Sequence, residues 1–203
     1  MGRGSGLPVF ELLFVFILVA IAQMVASLAD LVGGLFILSP PLSENPWTVV
    51  TSVYAHGNFE HLVSNAIALV LFGWPVARAT TRIRFHSFFL VTGAIAGISQ
   101  ILVSDVLAIL PIMGVTATPG VLGASGAVFA LLGYLLASNR LSSGVSSRID
   151  LPRWVVYTVF LIVAAVLTFA TAQPGVALIA HFTGLLVGLV AGRLNVLSVP
   201  NAP

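Results

Sequence analysis

The chain has no cysteine, no lysine and little charge of either sign: Asp, Glu, Lys and Arg together make up 7% of its 203 residues. Without cysteine there is no disulfide framework, no thiolate metal site and no cysteine nucleophile. Without lysine, all the basic charge sits on eight arginines. Despite a pI near 9.7, these are too few and too scattered to form a nucleic-acid footprint. Soluble domains carry about 25% charged residues, and a chain so far below that level cannot coat a water-facing surface. What fills the sequence instead is apolar: 59% of it is hydrophobic. The class is an all-α polytopic membrane protein, most of whose surface faces lipid or other helices.

A membrane helix needs roughly 20 mostly apolar residues to cross about 30 Å of hydrocarbon. Six stretches qualify as candidates, at 9–29, 58–77, 85–103, 123–137, 154–172 and 177–194. The first is too long for the roughly 7–15-residue apolar core of a signal peptide, so it reads as a retained span. The arginines set the orientation. Arg3 precedes the first span, Arg78, Arg82 and Arg84 follow the second, Arg140, Arg148 and Arg153 follow the fourth, and Arg193 closes the sixth. If the spans alternate, every arginine falls on one side and Asp30, Glu44 and Asp105 on the other. The positive-inside rule then places both termini in the cytoplasm of a multi-pass cell-membrane protein. The expected architecture is one six-helix transmembrane domain over 1–203, with a short, central fourth helix. The outer stretch Leu31–His56 is broken by prolines, and its Leu, Phe and Trp residues suit a segment half sunk in the interface.

Four polar side chains lie near the outer ends of spans: His61 and Asn65 on the second, Ser125 on the fourth and His181 on the sixth. Their depth follows from the helical rise of 1.5 Å per residue. Asn65 stands about 20 Å above Arg78, Ser125 about 22 Å above Arg140, His181 about 18 Å above Arg193, and His61 about 25 Å above Arg78. Three helices thus bring polar groups to nearly one level. The short fourth span cannot reach the outer surface, so the "VTATPGVLGA" before it must dip inward. Non-helical backbone at depth is tolerated only inside protein or beside a wet cavity. An aqueous pocket opening outward, with Ser125 at its floor, is the expected result.

The chemistry of that place suits acyl transfer. A helix start offers unpartnered N–H groups and a partly positive end, so an oxyanion formed at Ser125 has donors close by. Gly123 and Gly126 allow a tight turn and a close approach. Asn65 and His61, four residues apart, share one helix face and offer further donors. A serine hydroxyl needs a base, and His181 is the candidate. It opens a helix with small residues at Ala180, Gly184, Gly188 and Gly192, a stripe that lets two helices pack closely. Phe129, one turn below Ser125, is placed to stack on the imidazole. No acid lies at this depth, so the site is a dyad held by packing. Taken singly, each has another explanation: helix packing for the serine and the glycine stripe, a bridge between helices for Asn65, a proton relay or ion path for the histidine. The conjunction carries the argument. His56, in the loop before the second span, reads as a structural hydrogen-bonding residue at least as readily as a catalytic one, and His86 as a solvated interface residue. Glu11, Gln23 and Gln100 match no chemistry.

Together these residues resemble the rhomboid intramembrane serine proteases. The motifs are Gly123-Ala124-Ser125-Gly126, Ala180-His181 with Gly184 and Gly188, and His56, His61 and Asn65 about the second span. The resemblance covers essentially the whole chain and implies a rhomboid-like six-helix bundle. It further implies a Ser125 nucleophile, a His181 base and an oxyanion site formed by Asn65, His61 and the Ser125 amide. The partners implied are membrane proteins cut in or beside a transmembrane segment, with the lipid bilayer as medium. No cofactor, metal or nucleic acid is expected. A movable fifth span and the Gln173-Pro174-Gly175 loop form the candidate gate. The sequence departs from the family in two places: Thr48 follows Trp47 where an arginine is common, and Phe129 stands where a tyrosine often stacks on the histidine. The alternatives are an inactive relative that binds and escorts membrane proteins, and a small transporter or proton channel.

Overall fold

The computed structural model describes residues 6–110, 116–138, 153–172 and 175–199. Arg3, Arg140, Arg148 and the Gln173-Pro174 pair lie outside the described residues. Among the described residues the chain is helical, with no strand beyond a single antiparallel bridge between Leu38 and Val121. The helices are α1 (Leu7–Ser27), α2 (Val32–Phe36), α3 (Thr48–Tyr54), α4 (Phe59–Ala79), α5 (Arg82–Ala108), α6 (Ser125–Ala137), α7 (Arg153–Ala170) and α8 (Leu178–Arg193). Three of them, α1, α4 and α5, are long and apolar enough to cross a membrane. Those at the other predicted spans, α6 to α8, are apolar and shorter. The protein is an integral membrane protein of several apolar helices.

Local sequence explains where the helices begin. Pro8 stands in the first turn of α1, where its missing N–H costs nothing. Asn58 is extended and its side chain accepts from His61 N at 2.8 Å, capping α4. Thr81 caps α5 in the same way. Within α4, residues Leu69–Gly73 form a π turn just before Trp74-Pro75. Proline cannot donate to the carbonyl four residues back and its ring crowds that carbonyl, and the wider turn absorbs the misfit. At the third predicted span, α5 runs beyond the expected 85–103, to Ala108. Polar Gln100 and Ser104 do not end it, because both find partners in the loop that follows.

On α1, Val9, Leu12 and Phe16 are buried, while Phe10, Phe14, Ile17 and Ile21 are exposed. One face packs inward and an equally apolar face is left for lipid. At one end of the bundle Glu11 accepts from Arg82 Nε at 2.9 Å and meets His86 Nε2 at 2.7 Å. Arg84 donates there to Ser198 O. His86 is therefore a side-chain partner of Glu11 and not merely a solvated residue, and the start of α1 is tied to the start of α5.

The centre of the fold is α6, with Gly126, Ala127, Val128, Ala130, Leu131, Gly133, Tyr134 and Ala137 all buried. It lies backbone to backbone against α8. A Cβ at Gly184 would collide with the Gly126 carbonyl, and one at Gly188 with the Ala130 carbonyl. At Gly192 the added Cβ would stand 2.5 Å from Tyr134 O. Overpacking a tight interface costs about 1–3 kcal/mol and occasionally more. Here the obstacle is main chain, which cannot rotate away. Gly184→Ala is expected to destabilise the fold in detergent by a free energy at or above that range, read as a lower thermal midpoint. Gly33→Ala, where an added Cβ meets nothing, is the control and should stay within about 0.5 kcal/mol of the parent. Equal midpoints would contradict the backbone contact.

Candidate active site

Ser125 is the first residue of α6 and is half-buried. The backbone leading to it is tied down at Val121 and Gly123. Leu38 N donates to Val121 O at 3.0 Å and Val121 N to Leu38 O at 2.8 Å. Gly123 N then donates to Ser52 O at 2.9 Å. This is how irregular chain is accommodated inside an apolar bundle: the neighbouring protein supplies its hydrogen bonds. Gly123 has φ +135°, a region closed to most side chains. A Cβ there would stand 2.7 Å from His61 Cε1 and 2.9 Å from His61 Nε2. Gly123→Ala is therefore expected to push on the His61 ring and the turn before Ser125 together. The rate of serine labelling should fall about a hundredfold, as small misplacements at a reacting centre do. Undiminished labelling of a folded Gly123→Ala chain would show that the turn does not matter.

His181 lies one turn into α8 and is buried. Its ring stacks on Phe129 with centroids 4.3 Å apart and planes at 18°. The lack of a tyrosine hydroxyl at Phe129 leaves that stacking intact. Nδ1 lies 3.2 Å from Thr171 Oγ1, at the end of α7. Ser125 Oγ and His181 are not hydrogen-bonded to each other among the described residues. Such bonds are often long in free enzymes and tighten with substrate.

On α4, the half-buried His61 ring lies against Gly123, and Asn65 is buried. Asn65 Nδ2 donates to His61 O at 2.9 Å, which commits one of its two amide protons and leaves the other. The His56 and His61 rings meet edge to face at 5.2 Å. His56 is buried, with Phe16 packed on it at 4.8 Å. Trp47 Nε1 donates to Gly34 O at 2.8 Å, and buried Thr48 donates to Asn45 O at 2.6 Å. The loop between α2 and α3 is thus held by its own hydrogen bonds with a threonine at position 48.

Two residues left without a role by the sequence turn out to hold this region. Gln23 on α1 clamps the His56 backbone, receiving its N–H at 3.1 Å and donating to its carbonyl at 3.2 Å. Gln100 on α5 donates to Thr118 Oγ1 at 2.8 Å and accepts the Ala180 N–H at 3.1 Å. It therefore bridges the loop before Ser125 and the residue before His181. The available signal was chemical: an amide in a membrane span is costly unless paired. Beside Ser125 is a cavity of about 20 Å³, lined by Ser52, Gly93, Gly97, Gly123 and Ala180 among others. It has room for about one water. The pocket expected at this place is much smaller than an extended peptide would need.

The fold and site define a polytopic helical membrane protein with a serine at the head of its buried central helix, glycine-packed against a histidine-bearing helix. The sequence model of the Rhomboid domain matches residues 43–197, and the chain belongs to the rhomboid family. It is 27% identical over 151 residues to Rhomboid protease GlpG of Haemophilus influenzae, covering 73% of this chain and 69% of that protein. It is 27% identical to human Rhomboid-related protein 3 over 162 residues, 75% of this chain and 37% of that one. Identity to RHOMBOID-like protein 4 of Arabidopsis thaliana is 27% over 161 residues, 79% of this chain and 36% of the relative. The chain thus spans little more than a third of the human and plant relatives.

Proposed function

We propose that this protein is an intramembrane serine endopeptidase that cuts transmembrane or membrane-adjacent segments of other membrane proteins. The observation that carries the reading is the imidazole of His181 held flat on Phe129, one turn beyond Ser125, across an interface where α6 and α8 touch through backbone. Family membership and the relative named as a protease support it. In this reading all six apolar helices span the cell membrane, with both termini cytoplasmic. The joining of Glu11, Arg82, Arg84 and Ser198 at one end of the bundle supports that orientation.

Ser125 attacks the scissile carbonyl while His181 takes its proton. The tetrahedral oxyanion is received by the free N–H groups at the start of α6, with Asn65 and His61 as further donors. One such donor is worth about 2.7–4 kcal/mol. His181 then protonates the leaving amine, and water hydrolyses the acyl-enzyme. The narrow cavity requires the substrate to open its own space, with α7 and the loop at Gly175 as the movable parts.

The test is covalent labelling by a fluorophosphonate probe. It is followed by cleavage of single-span substrates, with the cut bond identified by mass spectrometry. Labelling that persists in Ser125→Ala would refute the assignment. The second reading, binding and escort without cleavage, draws on the small volume beside Ser125 and predicts no labelling at all.

A further inference from the structure

We propose that Thr171 completes the site as a positioning residue, its hydroxyl accepting the Nδ1–H of His181 and so leaving Nε2 free to take the serine proton. The argument rests on counting protons. A threonine hydroxyl has a single proton to donate. That of Thr171 goes to Thr168 O at 2.9 Å, within its own chain turn. Toward His181 Nδ1, at 3.2 Å, the hydroxyl can donate or accept according to the tautomer. With its proton on the shorter contact to Thr168 O, a group that can only accept, the oxygen accepts from His181 and Nδ1 carries the hydrogen. The bond made by one ring nitrogen decides the state of the other, so the base is held in its productive tautomer. Phe129 on the ring face prevents tilting, and the His181 N–H is already bound to Ala177 O at 3.1 Å.

The role rests on reading His181 as the base, and it supplies what a carboxylate supplies in a three-residue site. The groups around the ring are Phe129 from α6, Thr171 at the end of α7, and His61 from α4 as its titratable neighbour, with His56 behind it. Among the described residues no carboxylate is paired with His181. When His181 takes the serine proton, its Nδ1–H bond becomes charge-assisted and strengthens. The benefit therefore falls on the transition state, not on substrate binding. Thr171 is exposed, so water can reach Nδ1 when the hydroxyl is removed. Water has two protons, can turn either way, and admits the unproductive tautomer that the committed threonine proton excludes.

The experiment compares the full-length parent, Thr171→Val and Thr171→Ser in detergent or liposomes. The readouts are kcat and KM on a single-span substrate and the 15N resonances of the histidine rings. The His181 signals are assigned by their loss in His181→Ala. The parent should show Nδ1 protonated and Nε2 bare. Thr171→Val should lower kcat about tenfold with KM within about twofold and show the second tautomer. Thr171→Ser should restore both kcat and the parent's tautomer. A Thr171→Val chain with the parent's tautomer and kcat overturns the proposal, as does a parent with Nε2 protonated. The resonances report on the Thr171–His181 pair even if Ser125 never reacts with a fluorophosphonate. That outcome would fell the protease reading by a separate measurement.

Discussion

Ser125→Ala is expected to abolish fluorophosphonate labelling and to lower cleavage of a single-span substrate about 10⁴- to 10⁶-fold, the loss seen when the nucleophile of a serine protease is removed. That corresponds to about 5–8 kcal/mol of barrier. The change deletes one oxygen from a half-buried residue beside a cavity of about 20 Å³. The α6–α8 contact is made by Gly126 and the residues after it, so folding should be unaffected. An unchanged thermal midpoint with activity gone is the diagnostic pair. Retained cleavage by Ser125→Ala would mean that another group, or another protein in the preparation, does the chemistry. Measurement in purified, reconstituted form separates those two.

His181→Ala is expected to lose about 10³- to 10⁶-fold in cleavage, and the double variant with Ser125→Ala should be no worse than either alone. Groups acting as one unit are non-additive because removing either destroys the same step. Labelling by the probe should slow sharply in His181→Ala without vanishing, since the serine survives but its proton has no acceptor. Unlike Ser125, this side chain fills space against Phe129. A modest fall in thermal midpoint should accompany the loss, and His181→Phe, which keeps a ring there, should recover stability and not activity. Multiplying rather than saturating losses in the double variant would show that the two residues act separately.

How far the sequence reached depended on the range of the interaction concerned. The apolar stretches and the small-residue spacing of Ala180, Gly184, Gly188 and Gly192 are local patterns, and helices occupy those positions. The stacking of Phe129 on His181 was legible because Phe129 sits one turn from Ser125 on a helix whose small face must meet that of α8. The hydrogen-bonding partners of polar residues were not legible. Gln100 and Ala180 lie 80 positions apart, Gln23 and His56 lie 33 apart, and Glu11 and Arg82 lie 71 apart. No periodicity connects such pairs. The length of α5 was missed for the same reason. Ser104 and Asp105 look like a helix end until Ser104 Oγ is seen to receive Thr118 N–H at 3.0 Å. Thr171 escaped notice because its partner, ten positions on, lies across a turn whose path the sequence does not specify.

The contact of α6 with α8 has a mechanical corollary. Where peptide unit rests on peptide unit there are no rotamers to rearrange, so that seam has almost no compliance of its own. The spacing between the ends that carry Ser125 and His181 is inherited from bond lengths and angles, much as meshed gear teeth fix the distance between two shafts. Any motion that admits a bulky guest must then be borne by the more loosely fitted neighbours, while this pair of rods stays in register throughout.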